Sequence, residues 1–125
     1  MDPTLSQRLA IYDSDATVPA GVMDFVRAEL NLIDPEQSLT DEEIGFFVSH
    51  LTMALARLIT GAEIEVDLDD DTYAEVVAEH PDTPAAAQAL ASRVSQKFNV
   101  QPPEPEVKFL TVHLALIAAK SSGDK

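Results

Sequence analysis

The chain has 125 residues, with 22 Asp or Glu against 8 Lys or Arg, so its formal net charge is −14. Its length and its 46% hydrophobic content suit one domain with a closed core. So strong a negative field repels phosphate backbones and anionic membranes, which disfavours direct binding to nucleic acid or to a membrane. The absence of cysteine excludes a disulfide framework, a thiolate nucleophile and thiolate metal ligands.

The composition predicts an all-α fold. Eight Pro and four Gly leave few positions for tight hairpins, while Ala, Leu, Glu and Gln recur in long stretches that favour helices. Residues 1–18 are polar and predict an N-terminal arm, either mobile or folded as a short packed turn. Neither a signal-peptide core nor a run of about 18 apolar residues occurs, so we expect a cytoplasmic location.

Two helices are predicted in the segment that follows this arm. The first covers residues 19–33, where apolar side chains recur every three or four positions. The second covers residues 41–60. Thr40 followed three residues later by Glu43 predicts a capping box at its start, and Gly61 is a typical helix stop.

Three more helices are predicted in the second half of the chain. The third covers residues 69–80 and begins with aspartates that complement the helix dipole, after an acidic loop at 62–71. The fourth covers residues 83–98, and a proline-rich break separates it from the fifth, at 104–120. Residues 121–125 predict a frayed tail. Five helices of these lengths predict one bundle, with the second and fifth packed side by side.

One internal repeat links the second and fifth predicted helices. Residues 43–51 and 106–114 share, in register, Glu, an apolar residue, any residue, Phe, an apolar residue, two further residues, His and Leu. The histidines are His50 and His113. If the two helices are neighbours, we expect these histidines to face a shared groove.

The spacing within each copy aligns an acid, an imidazole and a base. Seven residues make nearly two helical turns, so Glu43 and Glu106 each lie within about 20° of the histidine that follows. The same step beyond each histidine reaches Arg57 and Lys120. Each helix therefore carries the three side chains in one line, on or beside its apolar stripe.

Histidine is neutral and nucleophilic near pH 7, so it can accept a phosphoryl group and pass it on. A nearby Arg or Lys can pair the added charge, and a carboxylate repels it. The alternative is that both histidines are edge-of-core residues with a structural role only. A metal site formed by both histidines and Glu43 or Glu106 lacks any supporting ligand spacing. No nucleotide-binding, dinucleotide-binding or serine-hydrolase motif occurs, so we predict no catalytic residues, no metal and no cofactor.

The two histidine motifs, the Arg57 spacing and the lead-in Pro103-Glu104-Pro105-Glu106 resemble a PTS regulation domain, or PRD. The resemblance spans about residues 19–120 and looks like a stand-alone member, since family members usually carry two such domains behind a nucleic-acid-binding domain. It implies a five-helix, non-enzymatic module of carbohydrate regulation, phosphorylated at His50 and His113 by the phosphocarrier protein or a sugar-transporter component.

Two further expectations concern assembly and function. The second predicted helix is apolar around more than half of its circumference, and a surface helix needs an apolar stripe only about 100° wide. Because the PRDs it resembles are dimers, we expect a homodimer. The competing hypotheses are a structural interaction protein that keeps the PRD fold without phosphotransfer, and a protein that binds a metal or a small ligand.

Overall fold

The computed structural model describes residues 2–61 and 69–122, with side chains through Ala119. In this part of the chain the fold is all-helical, which confirms the predicted class. The helices are α1 (Pro3–Asp13), α2 (Val22–Ile33), α3 (Asp41–Thr60), α4 (Asp70–Glu79), α5 (Thr83–Phe98) and α6 (Glu104–Ser122). They form two compact units, Met1–Ala62 and Glu63–Lys125.

The prediction of five helices is wrong, because the described residues form six. The additional helix is α1, which lies within the segment expected to be an arm. Its start has a physical cause: the carboxylate of Asp2 accepts a hydrogen bond from the Leu5 amide at 3.2 Å, and Pro3 supplies a preset first helical residue. Leu5 and Leu9, one turn apart, are buried. Two leucines are too few to form an apolar stripe that the sequence shows. The many polar residues of this segment therefore led to the prediction of an arm.

The first unit contains α1, α2 and α3, each of which packs on the other two. The capping box predicted from Thr40 and Glu43 is present, and Gly61 ends α3 with φ 80°, a left-handed conformation that favours glycine. The core of the unit comes mostly from α2 and α3. Its largest fully buried side chains on α3 are Ile44, Phe47, Val48, Leu51 and Leu55.

By length and composition alone, the 20-residue helix α3 would be able to cross a membrane. Half of its apolar window is buried inside the protein, however, and it begins with Asp41, Glu42 and Glu43. Within the first unit, α3 packs its buried side against α1 and α2. The buried apolar stripe therefore has a packing role.

The second unit contains α4, α5 and α6, with α6 packed on both of the others. Asp69 caps α4 by accepting a hydrogen bond from the Thr72 amide at 3.3 Å, and Asn99 ends α5 at φ 57°. The helix α6 continues to Ser122, into the segment predicted as a tail. Residues 62–68 of the predicted acidic loop and residues 123–125 of the tail lie outside the described residues.

Candidate functional site

His50 lies on α3 in the first unit, where its side chain is half-buried. The residue before it, Ser49, is held from α1: Nη1 of Arg8 donates to Ser49 Oγ at 2.6 Å, and the Tyr12 hydroxyl donates to the same oxygen at 2.9 Å. Arg8 also donates through Nε and Nη2 to the two carboxylate oxygens of Asp41, at 2.6 and 2.9 Å. The turn of α3 that carries His50 is therefore fixed by polar contacts from another helix.

Glu43, the acid of the first repeat, serves the start of its helix. Its Oε1 accepts hydrogen bonds from the backbone amide of Thr40 at 2.9 Å and from the Thr40 hydroxyl at 3.1 Å. The carboxylate thereby satisfies a donor that the first turn of a helix leaves open. The glutamate of the first repeat therefore marks the start of a helix.

Arg57, the base of the first repeat, is exposed in the last turn of α3. Phe46 and Met53, on the same side of the helix, are 70% and 39% exposed. A cavity adjoins this surface, lined by Ala16, Thr17, Pro19, Met53, Ala56, Arg57 and Thr60. Arg57 is the only charged residue among these lining residues. The side of α3 that carries Phe46 and Met53 is therefore an exposed apolar surface, and Arg57 lies at its end.

The second repeat has the opposite environment. Glu106 and His113 on α6 are only 1% and 7% exposed, and atoms Oε2 of Glu106 and Nε2 of His113 are fully buried. The imidazole lies against the ring of Phe109, with the ring centres 4.6 Å apart. The backbone of Lys120 is within α6, and its side chain lies outside the described residues. The acid and imidazole of this line share the buried face of α6.

The local sequence explains why two matched glutamates differ. Glu43 and Glu106 are each the third residue of their helix. In α3 the capping position is Thr40, whose amide binds the glutamate. In α6 the corresponding residue is Pro103, which has no amide hydrogen to donate, so Glu106 cannot close the same box. The two glutamates match in sequence, but Glu43 caps its helix and Glu106 is buried.

The structure places His50 in the first unit and His113 in the second. The side-by-side packing of α3 and α6 and the shared groove for the two histidines stay predictions. No three His, Asp or Glu side chains among residues 2–61 and 69–119 converge in a way that would hold a metal ion.

Arg8, Tyr12 and Asp41 are not among the predicted site residues. The sequence offers only a weak indication of these contacts. Arg8 and Tyr12 are four residues apart, so they share one face of a helix only if residues 1–18 are helical. Asp41 was visible only as an acidic first-turn residue. The bonds from Arg8 to Asp41 and Ser49, and from Tyr12 to Ser49, depend on the packing of α1 against α3, which no local pattern specifies.

The described residues thus form an all-helical module with two histidine-bearing helices, and the histidine of α3 lies on a partly exposed face. The family model described as PRD domain matches residues 35–116, well over half of the chain, and includes both histidines. The chain belongs to the PTS regulation domain family, whose members are regulatory rather than catalytic. Neither a curated protein nor a solved structure gives a match to it. The helices α1 and α2 precede the matched region.

Proposed function

We propose that this protein is a PTS-dependent regulatory module whose histidines, His50 and His113, accept phosphoryl groups from the phosphocarrier protein or a sugar-transporter component. It acts in the cytoplasm as a homodimer, through protein contacts that alter transcription of carbohydrate genes, without binding nucleic acid itself. The observation that carries the proposal is the repeat of one histidine motif on two helices, both within the family match.

The proposed chemistry needs a neutral imidazole and a nearby positive charge. A ring nitrogen of the acceptor attacks phosphorus, the bond from phosphorus to the donor nitrogen breaks, and the acceptor's ring proton passes to the donor imidazole. Arg57 is seven residues after His50, and Lys120 stands in the same relation to His113. We assign to both bases the pairing of the negative charge that the phosphoryl group adds. Glu43 and Glu106 repel that charge, and this repulsion keeps the phosphoryl group labile.

The different burial of the histidines favours an order of modification. His50 is half-buried and its helix presents an open face, whereas only 7% of His113 is exposed. A donor protein has to bring its own histidine into contact with the acceptor ring, which requires access from solvent. We therefore propose that His50 is modified first and that His113 follows only after a local opening of the second unit.

Phosphorylation by the purified phosphocarrier protein, its kinase and phosphoenolpyruvate tests the proposal, with acid-labile phosphate as the readout. Wild-type protein should gain phosphate, His50→Ala should lose the fast phase, and His113→Ala should lose the slow phase. His80→Ala is the matched control, since His80 is the third histidine of the chain and caps the end of α4. Labelling that survives in the His50→Ala, His113→Ala double variant would remove both residues from the proposal.

The alternative is a structural interaction protein, and the deep burial of Glu106 and His113 favours it. Buried polar side chains of this kind can serve to fix the packing of a unit. This function predicts no phosphate incorporation from either donor, together with a lower thermal midpoint for His113→Ala than for His50→Ala. Phosphate on either histidine at a rate comparable to that of other PTS acceptors would exclude it.

A further inference from the structure

A cavity of about 310 Å³ lies within the second unit, where α4, α5 and α6 meet. Its wall includes Tyr73 of α4, Gln88 of α5 and Lys108 of α6, together with Gln101 from the segment between α5 and α6. Sites for small organic molecules have volumes of about 300 to 1,000 Å³, so the cavity is large enough for a small ligand. None of the described residues that line it is a histidine, so the cavity is distinct from the two proposed acceptors.

The cavity has an apolar floor and a polar rim. Its floor contains the buried residues Ala91, Pro102 and Val107. Its rim carries the exposed carboxamides of Gln88 and Gln101, each of which offers a carbonyl acceptor and an amino donor. A ligand that fits both parts has a C–H surface on one side and, on the other, groups that donate and accept hydrogen bonds.

Two charged side chains of the rim are paired with each other. Nζ of Lys108 lies 3.5 Å from Oε1 of Glu104 and 5.3 Å from the centre of the Tyr73 ring. The lysine ammonium therefore already binds the carboxylate and one face of the ring, the two features that would attract a cationic ligand. An anionic ligand has to approach a chain with a net charge of −14 and compete with Glu104 for Lys108. A neutral ligand meets neither obstacle.

We propose that this cavity binds a small uncharged molecule that carries several hydroxyl groups and has about the size of a monosaccharide. A hydroxyl group both donates and accepts, so it can bond to a carboxamide, a carboxylate or an ammonium. The C–H groups of such a molecule pack on the apolar floor. This site goes beyond the proposed function, because it adds a small-molecule signal to a module whose proposed control is phosphorylation.

The ligand would stabilise the closed form of the second unit. Because the lining comes from α4, α5 and α6, the cavity exists only while these three helices are packed together. A ligand that binds only the closed form lowers the open population about tenfold when its concentration is about ten times its dissociation constant. His113 is 7% exposed, so a reagent reaches it through the open form. Occupancy of the cavity therefore slows the modification of His113.

Titration of the isotope-labelled full chain, followed by NMR, tests the site with three probes of one carbon skeleton: glucose, gluconate and protonated glucosamine. We expect glucose to shift the carboxamide signals of Gln88 and Gln101 with a dissociation constant in the millimolar range, and both charged probes to bind about fivefold more weakly. Galactose and mannitol are further neutral probes. Gln88→Ala and Gln101→Ala should each weaken glucose binding about threefold or more. Gln96→Ala, at an exposed glutamine of α5 outside the described lining, is the matched control.

A charge variant separates the ligand classes further. Glu104→Gln releases Lys108 from its carboxylate, so we expect it to raise the affinity for gluconate about fivefold and to leave that for glucose nearly unchanged. Tighter wild-type binding of either charged probe than of glucose would overturn the choice of a neutral ligand. Binding that is insensitive to both glutamine variants would overturn the location. The absence of saturable shifts with all three neutral probes would overturn the site itself.

A chemical reagent tests the effect on His113 without phosphoryl transfer, so this result is independent of the phosphorylation assay. Diethylpyrocarbonate modifies neutral histidine, and peptide mass spectrometry gives the rate at each position. Glucose at about ten times its dissociation constant should slow the reaction of His113 about tenfold and leave that of His50, in the first unit, unchanged. Gln101→Ala should weaken this protection. An unchanged rate for His113 with the cavity occupied would overturn the coupling, and equal slowing of both histidines would assign it to the reagent.

Discussion

The guanidinium of Arg8 and the carboxylate of Asp41 form a two-bond ion pair that ties α1 to the first residue of α3. The bonds measure 2.6 and 2.9 Å, and a third bond from the same guanidinium reaches Ser49 at 2.6 Å. Asp2 strengthens the junction, because its Oδ2 accepts from the amides of both Leu5 and Asp41. One carboxylate thus caps the starts of two helices. A segment that precedes the family match therefore sets the position of the helix that carries His50.

Replacing Arg8 with Met should lower the free energy of unfolding by about 1 to 3 kcal/mol, since it removes three charge-assisted bonds at a partly shielded site. Arg27→Met is the matched control. Arg27 forms an equally close two-bond pair with Asp13, but both side chains are about 40% exposed, so the loss should stay below about 1 kcal/mol. Urea denaturation measures both. Equal losses would show that the Ser49 contact and the shielding contribute nothing.

Acid should weaken the same junction. The hydrogen bond from Arg8 lowers the pKa of Asp41 below its ordinary value. A carboxyl with a lowered folded-state pKa stabilises the fold above the unfolded pKa of about 3.9, and that contribution is lost as pH falls through the folded-state pKa. Unfolding free energy measured between about pH 5 and pH 2 should therefore decline less steeply for Asp41→Asn than for wild type. Parallel curves would contradict the assignment.

Because Gly45 has no side chain, the ion pair between Arg8 and Asp41 has room beside it. A Cβ at this position would lie 2.5 Å from Oδ1 of Asp41 and 2.8 Å from Nε of Arg8. In an ordinary helix, Gly→Ala stabilises by about 1 kcal/mol. Here we expect Gly45→Ala to destabilise, because the pair has to open. In an Asp41→Ala background the same substitution should become stabilising. A double-mutant cycle in urea checks the change of sign, and a stabilising effect in both backgrounds would contradict it.

The helical class, the capping box on α3 and the two histidine-bearing helices were predictable because each depends on residues close in sequence. The helix α1 was missed because it buries only two leucines, and because the partners of Arg8 on α3 are more than thirty residues away in sequence. The different roles of Glu43 and Glu106 were missed for a related reason. The repeat displays the matching glutamates, but whether each one caps a helix or is buried depends on Thr40 or Pro103 and on tertiary packing.

Phe46 and Phe47 are adjacent in sequence and should respond very differently to truncation. Phe47 is 1% exposed in the core of the first unit, so Phe47→Ala should cost about 3 to 5 kcal/mol through lost burial and the cavity left behind. Phe46 is 70% exposed, so Phe46→Ala should change the unfolding free energy of the dilute protein by less than about 0.5 kcal/mol. Thermal or urea unfolding at low concentration compares them. An unchanged midpoint for Phe47→Ala would mean that the apolar face of α3 has been assigned to the wrong side.

The three histidines should differ in chemical reactivity in an order set by burial. His50 and His80 are half-buried, whereas His113 is 7% exposed with its Nε2 enclosed. A small electrophile such as diethylpyrocarbonate needs a neutral ring nitrogen in contact with solvent, so modification of His113 has to wait for the second unit to open locally. We expect His113 to react about tenfold or more slowly than the other two, with the difference narrowing as sub-denaturing urea raises the open population. Peptide mass spectrometry against time gives each rate, and His113→Ala identifies the slow site. A rate for His113 equal to that for His50 would contradict both the burial of α6 and the proposed order of phosphorylation.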